Sequence, residues 1–326
     1  MSKDLERRIR IKRVDDIMNM PEPKWLIEGI LKENSLAVLY GAPKSTKSFV
    51  ALDWAASLVE GKDWFDFTVP HQRDVIYVQA EAAWGLKARI TAWQRARGGE
   101  LHGLGFVDHP INMLDDGERK ALSDAIKATG LQPGLIILDT LARNFGGGDE
   151  NSAQHMNQFV RNVDLLKAEL GSAVLIVHHS GRKRKAGPRG STALFGALDT
   201  QILLEKRSPG RTASGGKIKA ELICEAQKDA QLFERQSVTL ECRESCVAVT
   251  VEELKVAAPK KAKVKSRKNR DKMLGVLSEQ ECTPYPDWKQ RSGVPPSSFY
   301  RLRDTLVKDG AVLQDKDCFR LPPSGT

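Results

Sequence analysis

Residues 41–48 read GAPKSTKS, and the reading of this stretch decides the fold. An apolar run, Leu36-Ala37-Val38-Leu39-Tyr40, stands before it. Behind it Phe49, Val50, Ala51, Leu52, Trp54 and Ala55 recur at the spacing of a helix's buried face. A strand, a short polar loop and a helix, in that order, are the context in which the pattern G-x-x-x-x-G-K-[ST] cradles phosphate: loop N–H groups wrap the anion and the helix dipole points at it. Lys47 then reaches the β- and γ-phosphates and Ser48 offers its hydroxyl to Mg²⁺, with Gly41, Ala42, Pro43, Lys44, Ser45 and Thr46 completing the cradle. Thr46 stands where the pattern has its second glycine, a position whose backbone is often costly for a β-branched residue. Lys44 adds a cation that either sits near phosphate or is solvated.

Outward from this loop, residues 74–80 (DVIYVQA) read as a second buried strand ending at Glu81. A carboxylate at the C-terminal end of a strand beside the loop strand stands where open α/β sheets bind ligands. Glu81 is therefore a candidate base to orient an attacking water, the alternative being an exposed loop glutamate. Residues 84–97 and 116–129 pattern as helices, with a short strand at 106–107 between them. Residues 134–140, GLIILDT, bring an apolar run to Asp139. At this distance downstream of the loop, that is a Walker B pattern in which Asp139 holds the Mg²⁺ water shell, with Thr140 nearby. A helix over 154–170, with Met156, Phe159, Val160, Val163, Leu166 and Leu170 inward, leads to a buried strand at 173–177 capped by His178-His179-Ser180. Adjacent residues on a strand point to opposite faces, which speaks against a metal bound by both histidines. One of them can instead hydrogen-bond the γ-phosphate or relay its state to the next loop.

The chain has 326 residues, 40% of them apolar, yet no apolar run approaches the ~20 residues that span a bilayer. The N-terminus, MSKDLERRIRIKR, lacks the apolar segment of a signal peptide, so a cytoplasmic protein without a membrane partner is expected. The five cysteines fit that compartment as ordinary reduced thiols; Cys242 and Cys246 have no second Cys/His pair to make a zinc site. Net charge is +9 with a pI of about 9.3. The basic residues are localised, with one cluster over 260–272 and another at Arg182-Lys183-Arg184-Lys185. The second cluster sits in a glycine-bearing loop, 180–191, which is either a solvated surface loop or a grip on a phosphate backbone.

Residues 1–24 read as an arm. A short apolar lead-in at 25–30 follows, and later strands are expected at 200–205, 217–224, 238–240 and 247–251. The β-α-β alternation from 25 to 254 implies an α/β domain, a mostly parallel sheet flanked by helices. Residues 255–270, KVAAPKKAKVKSRKNR, read as a basic linker. Beyond it, at 271–326, helices at 271–279, 287–291 and 296–308 and a hairpin of 312–313 with 319–321 suggest a small winged helix. In that fold the third helix enters the major groove, which makes Ser298, Tyr300, Arg301 and Arg303 candidate contacts to duplex DNA; the alternative is a winged helix used for protein contact.

Taken in order, WLIEGIL, GAPKSTKS, YVQAEAAWGLKARI, LIILDTLARN, VLIVHHSG and RGSTALFGALDT make residues 25–252 resemble the RecA-like P-loop ATPases. The likeness is greatest to plasmid RepA-type and DnaB-like hexameric replicative helicases. The resemblance implies ATP and Mg²⁺ as cofactors, Glu81 as catalytic base and His179 as γ-phosphate sensor. It also implies a homo-oligomeric ring, hexameric in that family, with single-stranded DNA in a central channel against Arg182, Lys183, Arg184 and Lys185. The family completes each site with a basic residue from a neighbouring subunit. The matching stretch here, Glu225-Ala226-Gln227-Lys228, offers Lys228, with Arg189 the second choice. DnaB-like proteins carry lysine then arginine where this chain has Gln227 and Lys228, and a lysine lacks arginine's bidentate fork. The winged helix is not part of the RepA pattern. The expectation is an ATP-dependent DNA helicase or translocase of plasmid- or phage-type replication. The rivals are a DNA-stimulated ATPase that does not unwind (a loader or recombination mediator) and a nucleotide-responsive DNA-binding regulator.

Overall fold

In the computed structural model the chain divides into two units, Met1–Ala257 and Ala258–Thr326. The described residues are 11–21, 23–80, 85–181, 191–207, 217–243, 246–248, 269–278, 281–295, 299, 302–304, 306–307 and 310–322.

The first unit opens with a short helix, Val14–Met18 (α1). The apolar lead-in is a small antiparallel hairpin, Trp25–Ile27 (β1) with Leu31–Lys32 (β2), rather than plain coil. Leu36–Gly41 (β3) is buried at every position, as a parallel strand covered on both faces must be. It feeds Lys47–Glu60 (α2), which ends at Gly61 in the left-handed conformation. Asp74–Gln79 (β4), Leu86–Arg97 (α3), Leu104–Val107 (β5) and Asp116–Thr129 (α4) follow. The Asp115 side chain caps α4 by accepting from the Glu118 N–H. Pro133–Asp139 (β6), Ala153–Leu170 (α5) and Ala173–His179 (β7) come next. A helix at Thr192–Ala197 (α6), which sequence periodicity does not announce, precedes Thr200–Lys206 (β8), Lys217–Gln227 (β9), Gln236–Arg243 (β10) and Cys246–Ala248 (β11).

These strands form one sheet in the order β11-β10-β9-β8-β3-β7-β6-β4-β5. From β8 to β5 the pairings are parallel; β8, β9, β10 and β11 pair antiparallel. The fold is α/β, a mostly parallel sheet flanked by helices. Strand alternation sends Leu39, Tyr77, Ile137 and Val177 to one face, where they pack with α2 and the β1–β2 hairpin. It sends Val38, Val78, Leu138 and Ile176 to the other, against α4, α5 and α6.

One buried charge ties the first face together. Asp53 on α2 is fully buried and accepts from the indoles of Trp64 (2.6 Å) and Trp93 (2.7 Å), with Arg97 at 3.4 Å. Burial pushes its carboxyl up, against the pull of Arg97 and the two indoles. The cluster clamps α3 onto the loop-bearing helix α2.

The second unit has its own core of Met273, Trp288, Phe299, Leu306 and Phe319, with Trp288 and Phe319 ring centroids 4.7 Å apart. Its helices include residues 269–274 and Tyr285–Ser292. Its sheet is three-stranded rather than a simple hairpin: Thr283–Pro284, Cys318–Arg320 and Leu313–Asp315 pair in that order. The expectation of reduced thiols throughout is corrected here: Cys282 and Cys318 form a disulfide. They are 36 residues apart in sequence, and only the pairing of Pro284 with Cys318 brings them together, so spacing alone hides the bridge. Among the described residues no helix is long and apolar enough to cross a membrane.

Replacing Asp53 with alanine leaves two buried indole N–H groups without their acceptor, at ~1–3 kcal/mol each. Urea unfolding of the full-length chain, followed by tryptophan fluorescence, is expected to show Asp53→Ala destabilised by about 3 kcal/mol.

Candidate functional site

The loop after β3 is built where the strand ends at the carboxyl edge of the sheet. The Ser45 N–H donates to the Ala42 carbonyl at 3.2 Å and closes the first turn. Gly41 is required sterically: a Cβ there would lie 2.3 Å from the Leu204 carbonyl oxygen on β8. Thr46 adopts φ 72°, ψ 18°, the left-handed conformation that a glycine takes freely and a β-branched residue does not. Lys44 also has positive φ, at 60°, and is exposed. The loop therefore keeps the shape of a phosphate cradle at the expense of backbone strain.

Lys47, only 4% exposed, folds into that cradle. Its Nζ donates to the carbonyls of Gly41 (3.1 Å) and Ala42 (3.0 Å) and stands 3.3 Å from His179 Nδ1. The His179 contact follows from register: Tyr40 pairs with His178 and Gly41 with His179. Alternation then turns His179 to the Lys47 side and buries His178 on the opposite face.

Asp139 ends β6, one strand beyond β7, and is 1% exposed. Its Oδ2 accepts from the Tyr77 hydroxyl at 2.7 Å, and that hydroxyl lies 3.3 Å from the Ser48 carbonyl oxygen. Burial first, then the Asp139 charge and hydrogen bond, push the Tyr77 phenol well above its ordinary range. In the sequence Tyr77 reads as core, being an aromatic in a buried strand. The signal that could have found it is a polar tip on the β4 face that holds Val75 and packs on α2. The Ala80 N–H donates to the Asp139 carbonyl at 2.9 Å, so β4 delivers the chain beside Asp139 just before Glu81. Glu81 itself lies outside the described residues.

The donors fit ATP with Mg²⁺. A hydroxyl on Ser48 and a carboxylate on Asp139 are the hard oxygen ligands that Mg²⁺ prefers, and the strained loop and Lys47 suit a polyphosphate. Beside the loop, a cavity of about 900 Å³ is walled by Tyr40, Pro43, His179, Leu203 and Glu205. In this region the Tyr40 hydroxyl donates to Glu225, and burial raises the Tyr40 phenol strongly.

Of the other expected residues in the first unit, Lys228 is not brought to this edge. Lys228 follows β9 at the opposite end of the sheet, where its Nζ donates to the Gly196 carbonyl (3.4 Å) and lies 3.6 Å from Asp199. Arg303 in the second unit donates to Asp304 through Nε at 2.8 Å and Nη2 at 2.6 Å. Arg182, Lys183, Arg184, Lys185, Arg189, Ser298, Tyr300 and Arg301 lie outside the described residues.

Comparison with known proteins gives one family match: the AAA domain family matches residues 6–185. No curated protein matches the chain. Solved structures similar to it include a KaiC-like protein from the hyperthermophilic archaeon Pyrococcus horikoshii OT3. That match has 14% identity, covers 71% of this chain and 96% of that one, and has a TM-score of 0.47. The RadB recombinase is similar too, with 14% identity, 67% and 92% coverage and a TM-score of 0.44.

The strain at Thr46 is testable. Thr46→Gly removes a left-handed β-branched residue and is expected to raise stability by about 1 kcal/mol in chemical denaturation. Titration with a fluorescent ATP analogue should show its nucleotide affinity retained.

Proposed function

We propose that this chain, which belongs to the AAA domain family, is a P-loop ATPase that couples ATP hydrolysis to DNA as a ring-forming translocase or helicase. The observation that carries the reading is the strand order β3-β7-β6-β4. It aligns Lys47 and Ser48, then His179, then Asp139, then the chain entering Glu81, along one edge of one sheet.

The proposed chemistry follows that line. When bound, Mg²⁺ neutralises charge on the phosphate oxygens. Lys47 exchanges the Gly41 and Ala42 carbonyls for β- and γ-phosphate oxygens, at no cost in reach because it already lies inside the loop. Ser48 and Asp139 hold the metal. Glu81 orients the attacking water and takes its proton. His179, in contact with Lys47, reads the γ-phosphate and passes its loss to the loop at 180–191.

Lys228 lies at the far end of the sheet from its own Gly41, which supports its presentation to a neighbouring copy rather than to its own site. Assembly then completes each site, with Arg189 as the second choice for this role, and a residue supplied in trans contributes ~10³–10⁵ in rate. In the same reading Arg182, Lys183, Arg184 and Lys185 grip single-stranded DNA. The second unit's order of helix, strand, helix and paired strands supports a winged helix. There Ser298, Tyr300, Arg301 and Arg303 face duplex DNA, with Arg303 giving up Asp304 for phosphate.

The test is ATP hydrolysis by the full-length chain with and without single-stranded DNA, beside Glu81→Gln. Stimulation by DNA, with a ~10²-fold or greater loss in the variant, is the expected result. A strand-separation assay then divides the outcomes. Unwinding supports the helicase, whereas stimulation without separation supports a loader or mediator. Background hydrolysis in every condition, with a duplex footprint, turns the reading to a DNA-binding regulator.

A further inference from the structure

β4 carries a polar group into an otherwise apolar place. Tyr77 is 1% exposed, and its ring lies 5.9 Å from that of Phe106. Phenylalanine would fill such a slot as well; a buried phenol needs a partner for its hydroxyl. The parallel register pairs Tyr77 with Ile137 and Gln79 with Asp139, so the Tyr77 backbone sits below the level of Asp139. The length of the phenol spans that step. Its hydroxyl ends 2.7 Å from Asp139 Oδ2 and 3.3 Å from the carbonyl of Ser48, in the first turn of α2. Three separate pieces of chain, β4, β6 and the start of α2, thus meet at one oxygen atom.

We infer that Tyr77 is a positioning residue for the divalent cation of the nucleotide site. Its hydroxyl fixes one oxygen of Asp139 and references it to the backbone of Ser48. The carboxylate and the Ser48 hydroxyl are therefore set relative to one another before nucleotide arrives. The inference rests on the reading of Ser48 and Asp139 as the metal-holding pair, and it adds a residue that touches neither nucleotide nor metal. Groups that orient a ligating carboxylate from outside typically account for ~10–100-fold in metal affinity or activity. Tyr77→Phe keeps the ring and its packing and deletes only the donor.

The experiment uses the full-length chain and a fluorescent, non-hydrolysable ATP analogue. Binding is titrated with Mg²⁺ and, separately, measured in EDTA, for the wild type, Tyr77→Phe and Asp139→Asn, with a thermal melt of each. The expected result is a ~10-fold or larger rise in the Mg²⁺ concentration for half-maximal binding in Tyr77→Phe, with binding in EDTA unchanged. A Mg²⁺ dependence equal to that of the wild type overturns the inference. So does an equal loss of binding with and without Mg²⁺ accompanied by a lowered Tm, which would mark Tyr77 as merely structural. If Asp139→Asn keeps the wild-type Mg²⁺ dependence, the metal-pair reading fails and takes the inference with it. If Asp139→Asn loses that dependence and Tyr77→Phe does not, the inference alone fails.

Discussion

The parallel pairing of β3 with β7 is the constraint on which the candidate site depends. It sets Gly41 level with His179, and the Ser180 N–H donates back to the Gly41 carbonyl at 3.0 Å. Because side chains alternate along a strand, a shift of one residue would exchange His178 for His179 beside Lys47 and bury the wrong imidazole. The same pairing separates the loop strand from β6 by a single strand width. Asp139 is therefore held one strand away from the loop strand, with His179 of β7 between them. The continuous apolar runs of β3, β6 and β7 reflect the covering of both faces of these strands.

Around this fixed edge the loop is held in a shape its own sequence resists. Thr46 in the left-handed region costs something of order 1–3 kcal/mol, and such strain persists only where the surroundings over-determine it. Here they do. Gly41 is pressed against the Leu204 carbonyl, α2 is anchored through Asp53 to Trp64 and Trp93, and Lys47 binds the loop's carbonyls from inside. A loop shaped before ligand binding does not have to be ordered by it, which favours tight phosphate binding.

Much of this was legible in the sequence, for identifiable reasons. Strands β3, β4, β6 and β7 carry apolar runs ending in polar residues, and α4 and α5 carry helical periodicity. Lys47, Ser48, His179 and Asp139 stand out in the sequence because each sits at a strand or helix end with a recurrent pattern; the structure gives their positions. What could not be read depends on partners distant in the chain. The β1–β2 hairpin is too short to show a period. The bridge between Cys282 and Cys318 exists only through strand pairing in the second unit. Tyr77 reads as core until Asp139, 62 residues away, supplies its partner. Lys228 matches a sequence pattern, and its location at the far end of the sheet is a fact of topology alone.

The buried polar groups of the first face divide the work along α2. At its first turn, Tyr77 references the Ser48 backbone to Asp139; further along, Asp53 holds α3 through Trp93 and Arg97. Since α3 follows the segment containing Glu81, the same helix that presents Lys47 and Ser48 also carries the support for the residues that follow the candidate base. Each link is a hydrogen bond in an apolar setting, where a lost partner costs more than it would at the surface. α2, α3, β4 and β6 are thereby coupled to one another. The Lys47–His179 contact, at 3.3 Å, ties the end of β7 to the same edge.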